Sequence, residues 1–215
     1  DQSGIRISKI FKNNGNGTFT DINAGLTGID QSSSKWGDYD NDGDLDLALA
    51  GIRSTSRFSR IYRNDSGVFT DINAGLTGLF GGELAWGDYD NDGDLDLVIN
   101  GSTNSVLHSR IYRNDSGTFT NIAANLTALY GPVAWGDYDN DGDLDLAIAG
   151  ENLSNNRFFR IYRNNLTSPN SIPVQATNLQ AVVSGPSEPY DVSFSWDAGS
   201  DTETPALGLS YQLRV

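Results

Sequence analysis

Three copies of one twelve-residue acidic segment, set about fifty residues apart, constrain this chain more than any other feature. The first runs Trp36-Gly37-Asp38-Tyr39-Asp40-Asn41-Asp42-Gly43-Asp44-Leu45-Asp46-Leu47, and the others span Trp86 to Leu97 and Trp135 to Leu146. Fixed-period self-similarity is the signature of a repeat architecture in which each unit buries its apolar face against a neighbour. Each copy also contains D-x-D-x-D-G-x-x-D, a set of hard oxygen donors, so the same segment reports on architecture and on ligand chemistry.

The stretches between the acidic loops read as short strands. A second signature, Arg60-Ile61-Tyr62-Arg63-Asn64-Asp65-Ser66-Gly67-Val68-Phe69-Thr70, returns as Arg110 to Thr120 and in part as Arg160 to Asn165. A more distant copy, Lys9 to Gly15, leads into Gly17 to Thr20. Within a unit, strand one ends at the Trp-Gly pair and strand two follows the loop from Asp44 to Ala50. There Leu45, Leu47 and Leu49 alternate with Ala48 and Ala50, the pattern of a strand packed on both faces. Strand three is Phe58 to Arg63, Asn64 to Gly67 is a hairpin turn, and strand four is Val68 to Ile72. No segment shows helical periodicity, so the chain is expected to be all-β.

Four-stranded units of this length predict β-propeller blades. Residues 5–23 supply two strands of one blade, two blades are complete, and the last, from about residue 132, has three strands. That is about three and a quarter blades, an incomplete ring, since closure takes at least about four. The expected organisation is residues 1–166 as blades with three cation loops, 167–176 as a linker, and 177–215 as a partial β-sandwich. In that last part Leu179 to Val183, Val192 to Trp196 and Leu209 to Val215 read as strands.

In the loops, aspartates at positions 1, 3 and 5 send three carboxylates to one point while the intervening side chains point away, and Gly43 at position 6 allows the chain to turn back. Position 7 is expected to offer its main-chain carbonyl, and position 9 closes the cage. The candidate metal residues are Asp38, Asp40, Asp42, Asp44 and Asp46; Asp88, Asp90, Asp92, Asp94 and Asp96; and Asp137, Asp139, Asp141, Asp143 and Asp145. So many converging carboxylates suit Ca²⁺, which takes six to eight oxygens, better than Mg²⁺. An EF-hand is excluded, because position 12 is Leu49, Ile99 or Ile148 instead of glutamate and the flanks are strands. Three Ca²⁺ sites are expected.

These loops, together with R-I-Y-R-N-D-S-G-x-F-T, resemble FG-GAP/VCBS repeats, the calcium-loop blades related to the integrin α-subunit propeller. The resemblance covers residues 5–165. It implies a propeller, commonly seven-bladed, on a secreted or surface-exposed protein, with loops that stabilise blades. Separately, Val192-Ser193-Phe194-Ser195-Trp196-Asp197 followed by Thr202 to Ala206 resembles the first half of a fibronectin type III domain, which implies that Trp196 is a core tryptophan.

Net charge is −14, but the loops hold 15 of the 28 acidic residues, leaving 13 against 14 Lys and Arg. Outside its loops the chain is nearly neutral. There is no basic stripe to neutralise phosphates, so nucleic acid is not an expected partner. The absence of cysteine removes disulfides, zinc–thiolate sites and thiol catalysis together. No apolar run reaches the roughly 20 residues that span a bilayer.

His108, the single histidine, has no nucleophile or acid at a readable spacing. Tyr39, Tyr89 and Tyr138 between the aspartates are expected to pack between blades, with sugar stacking as the alternative. Arg60, Arg63, Arg110, Arg113, Arg160 and Arg163 are expected to form inter-blade salt bridges with loop aspartates, or else to line an anion groove. Asn16, Asn64, Asn100, Asn114, Asn125, Asn152 and Asn165 head glycosylation sequons.

The leading functional expectation is a calcium-stabilised, non-catalytic scaffold or adhesion region of an extracellular or cell-surface protein, with a protein or glycan as partner. The second is a subunit of an extracellular filament, in which open blade edges and the half sandwich are completed by neighbouring copies. The third is a carbohydrate-binding or accessory module of a larger enzyme. No paired glutamates, nucleophile motif or phosphate loop points to catalysis.

Overall fold

The computed structural model describes residues 5–166, 174–184 and 191–200. Among these residues the protein is all-β, without a helix, and its strands follow the repeat. A first pair is β1 (Phe11–Asn13) and β2 (Phe19–Asp21). The first full unit is β3 (Asp30–Gly37), β4 (Asp46–Arg53), β5 (Ser56–Asp65) and β6 (Val68–Asp71). The second is β7 (Leu84–Gly87), β8 (Asp96–Ser102), β9 (Leu107–Asp115) and β10 (Thr118–Asn121). The third has β11 (Val133–Gly136), β12 (Asp145–Glu151) and β13 (Arg157–Tyr162). A separate pair, β14 (Thr177–Ser184) and β15 (Asp191–Asp197), follows. All pairings are antiparallel between sequence neighbours, giving sheets of two, four, four, three and two strands, and no closed ring forms among the described residues.

Strand two of each unit begins two residues later than expected, at Asp46, Asp96 and Asp145, because the whole acidic loop is given over to the turn. Leu45 accordingly lies outside the sheet and is exposed. The β5–β6 hairpin is also tighter than the sequence pattern indicates. Asn64 and Asp65 stay in register opposite Phe69 and Val68, leaving a two-residue turn of Ser66 and Gly67. Both have positive φ, 51° and 95°, the conformation that matches the strand twist in a two-residue hairpin.

The second strands of the three loop-bearing units are buried on both faces, β4 and β8 almost throughout and β12 in part. Leu47 and Leu49 of β4 pack with Ile29 and Tyr62, and Ile10 of the preceding segment lies against them. Ala48 and Ala50, on the opposite face, join Ile61, Leu79, Leu84, Leu97 and Ile99 between the first and second units. Val98 of β8 in turn joins Leu129, Val133, Leu146 and Ile148 between the second and third. Small residues on one face of β4 let the next sheet approach, as the alternation implies.

The Trp-Gly pair is the joint between units. A Cβ placed on Gly37 would lie 2.6 Å from Trp86 Cδ1, and one on Gly87 would lie 2.6 Å from Trp135 Cδ1. The indole N–H groups of Trp86 and Trp135 donate to the carbonyls of Lys35 (3.2 Å) and Ala85 (3.3 Å). Glycine is required where the next unit's indole lies on the backbone, and that contact sets the spacing of the sheets.

β14 and β15 match the two strands expected there, but every residue of β14 is exposed, and Trp196, expected in a core, is 39% exposed. The third strand expected in this part, Leu209 to Val215, lies outside the described residues, as do 167–173 of the expected linker. Among the described residues no helix is long and apolar enough to cross a membrane.

Candidate metal centres

Each acidic loop joins the first two strands of a unit, so its conformation is set by a short, hydrogen-bonded turn. Asp38 holds the turn closed: its carboxylate accepts from the backbone N–H of Asp42 (3.1 Å) and Gly43 (3.0 Å). Asp88 and Asp137 do the same for Asp92 and Gly93, and for Asp141 and Gly142. Gly43, Gly93 and Gly142 have φ near 90°, and Asn41, Asn91 and Asn140 have φ of 57–58°, so two left-handed residues reverse the chain around the carboxylates.

The reversal gathers carboxylate oxygens within 4.8 Å of one another: Asp38, Asp40 and Asp42 in the first loop, Asp88, Asp90 and Asp96 in the second, and Asp137, Asp139 and Asp145 in the third. Oδ1 of Asp40 and Oδ1 of Asp90 are buried and receive no hydrogen bond. A carboxylate oxygen removed from water and left without a donor is costly, and a cation at the centre of the cluster relieves that cost. The donor set therefore fits a metal ion held by oxygen.

The electrostatics agree. Burial, followed by repulsion from Asp92 and Asp88, pushes the Asp90 carboxyl up to about 6. Asp40 is raised by burial and then by the Asp42 charge. Burial raises Asp46 to about 6 and Asp96 to about 8, against the opposing effect of the backbone donors beside them. A positive ion among these groups would favour their charged forms.

The remaining candidates are placed differently. The side chains of Asp44 and Asp94 turn away from the clusters and accept from the N–H of Ser66 (2.7 Å) and Ser116 (2.9 Å), tying each loop to its hairpin turn. Asp143 likewise accepts from the Leu166 N–H. This leaves only their main-chain carbonyls for a cation. The Asp46 carboxylate is fully buried and accepts from the N–H of Tyr39 and Asn64, linking the loop to β5. Asp92 accepts from the Asp94 N–H.

In the third loop Asp141 is paired with Arg163 (2.9 Å), which also lies 2.8 Å from Asp139. This is where the arginine expectation changes. Arg63 and Arg113 pair with Asp65 and Asp115, two residues along their own strand, and Arg60 pairs with Asp71 of its own unit. None of these reaches a neighbouring unit. Among the described ion pairs those that link units are Lys35–Glu83 (2.8 Å), between the first and second, and Arg6–Asp30 (2.6 Å), between the segment before β1 and the first. Residue 165 is asparagine where the earlier units have aspartate, so Arg163 lacks its strand partner and turns to the loop.

Tyr39 is buried and stacks on Trp86 of the next unit, and Tyr89 stacks on Trp135, with centroids 6.3 and 6.2 Å apart. Tyr138, the third of the set, is 56% exposed. His108 contacts Thr103 and Arg110, and burial lowers its pKa. Two sequons head buried asparagines, Asn100 and Asn114, whose side chains are already engaged.

Sequence reasoning missed the asparagines that join the loops. Asn114 Nδ2 donates to Tyr39 O of the preceding loop (2.9 Å) and to Leu95 O of its own, and Asn164 repeats this with Tyr89 O (2.6 Å) and Leu144 O. Their strict recurrence after Arg63, Arg113 and Arg163 was the available signal.

A model of the FG-GAP-like repeat matches residues 38–99 and 88–148, each match running from one acidic loop through the next, and together these cover just over half of the chain. No curated protein matches the chain. With the loops, strand order and joints in place across the matched residues, the chain belongs to the FG-GAP-like repeat family.

Proposed function

We propose that this chain is a calcium-stabilised, non-catalytic scaffold in the adhesive part of an extracellular or cell-surface protein. The observation that carries the reading is the recurrence of converging carboxylates whose buried Oδ1 atoms, at Asp40 and Asp90, have no donor. Ca²⁺ suits them because it accepts six to eight oxygens in a flexible cage. Asp38, Asp40 and Asp42, then Asp88, Asp90 and Asp96, then Asp137, Asp139 and Asp145 would hold the ions, joined by the main-chain carbonyls of Asp44, Asp94 and Asp143. An affinity of about 10⁻⁴–10⁻³ M is enough outside a cell. FG-GAP repeats usually occur in extracellular proteins, which supports that location. The ions would pin loops that otherwise repel themselves, keeping a row of sheets rigid enough to present a binding surface to a protein or glycan.

An ion bound only by the folded state stabilises it by mass action, about 1–3 kcal/mol per site at ten- to hundredfold saturation. Calorimetry should therefore show the melting temperature falling by several degrees in EDTA and recovering with CaCl₂ more than with MgCl₂. An unchanged melting temperature would refute the calcium reading.

A second reading, assembly with other copies, is favoured by one observation. Gly136 has nothing within 4 Å of its Cβ position and Tyr138 is exposed, so among the described residues the third unit leaves a half-joint that a further sheet, of this protein or of another copy, would fill as Trp86 fills that of Gly37 and Tyr39. Trp36, itself 48% exposed, is the matching half at the first unit. Electron microscopy of the native protein in millimolar calcium tests this. Regular fibres support assembly, and discrete particles refute it.

A further inference from the structure

We propose that Asn41 and Asn91 are positioning residues that couple neighbouring cation sites, so that loading one loop raises the affinity of the next. The proposal rests on the calcium reading above and deepens it. Asn41 sits between Asp40 and Asp42 with φ of 58°, so the direction of its side chain is set by closure of the first loop. Its amide leaves that loop and donates to Gly93 O and to Asp94 Oδ1, both at 3.0 Å. These acceptors lie on Gly93 and Asp94, immediately before the Asp94 main-chain carbonyl that would join the second site. Asn91 repeats the contact with Gly142 O (3.4 Å) and Asp143 Oδ1 (3.0 Å) of the third loop.

A return link runs the other way. The backbone N–H of Asn114 donates to Oδ1 of Asp96 in the second cluster (2.8 Å), while its side chain holds Tyr39 O, between Asp38 and Asp40 of the first. Each loop is thus bonded to the next through residues adjacent to its ligands, in both directions. A cation that orders one loop removes part of the ordering cost of its neighbour, which is positive coupling without a large structural change. Linkage makes the effect reciprocal. The middle site, bonded to both others, should gain most.

The test is a thermodynamic cycle on the full chain, with the third loop silenced by Asp139→Asn, CaCl₂ as probe and isothermal titration calorimetry as readout. The binding constants of the first and second sites are measured singly, in added Asp90→Asn and Asp40→Asn backgrounds. Their product is compared with the product of the two stepwise constants when both loops are intact. The expected excess is about fivefold or more. Asn41→Gly keeps the left-handed backbone, deletes only the amide, and should abolish the excess while both sites still fill. Asn41→Asp gives an independent reading: a carboxylate facing Asp94 should turn the excess into a deficit. No excess in the parent, or an excess that survives Asn41→Gly, overturns the proposal. So does an equal loss in Lys35→Ala, which cuts the ion pair between the first and second units without touching the loop-to-loop bonds, because the coupling would then be general packing. A parent that binds no calcium overturns the calcium reading and the coupling together, and the stoichiometry separates that failure from the others.

Discussion

At the scale of single residues, the three loops are identical in sequence over their twelve positions yet are not equivalent in place. The third has an arginine against Asp139 and Asp141, because Asn165 cannot hold Arg163 as Asp65 holds Arg63. A cation entering that loop must displace a guanidinium from the carboxylates. With the other loops silenced by Asp40→Asn and Asp90→Asn, Asn165→Asp should raise the calcium affinity of the third loop about two- to fivefold, the scale of an exposed ion pair. A titration showing no gain would mean that Arg163 does not compete. The motif itself was legible in the sequence, since alternating aspartates around a glycine recur three times in the same register. The competition was not, because it depends on where the chain just past β13 passes the loop. Asn114 makes the same point: as a sequon it reads as a surface residue, but it is buried with its amide bridging two loops.

At the scale of the strand and its turn, the Trp-Gly pair governs how closely sheets approach. Gly37 and Gly136 occupy the same place in their units, but one meets an indole and the other meets nothing within 4 Å. Gly37→Ala should therefore cost about 1–3 kcal/mol by overpacking, while Gly136→Ala should stay within about 0.5 kcal/mol of the parent. Urea denaturation of the two variants decides it, and equal effects would argue that the cost is local to the strand. Strand order and the two-sided burial of β4 followed from the Leu/Ala alternation. The start of β4 at Asp46 did not, because a residue that ends a turn and one that opens a strand share the same extended backbone. Only the bonds from the Asp46 carboxylate to Tyr39 and Asn64 show where the loop stops.

At the scale of the molecule, protection is unevenly distributed. Every residue of β8 is buried, with a packed sheet on either side, whereas every residue of β14 is exposed. Local opening free energies follow such differences. Hydrogen exchange should therefore be slowest at the amides of β8 and much faster across β14 and β15. Uniform protection would mean that the β14–β15 pair is covered by something beyond the described residues.

The sequence by itself determined the repeat, its period, the all-β class and the acidic loops, because these depend on residue order and local chemistry alone. Tertiary structure decided which aspartates converge, which turn to hold a neighbouring hairpin, that Tyr39 stacks on Trp86, and that Arg163 lies on a loop. Some of these outcomes are settled within a unit, as for Ser66 with Asp44 and Arg163 with Asp141, and others between residues about fifty to seventy-five positions apart, as for Trp86 with Lys35 and Asn114 with Tyr39. The first close when a unit folds its own sheet and the second only when one sheet lies on the next, so identical loops acquire different surroundings from their place in the row.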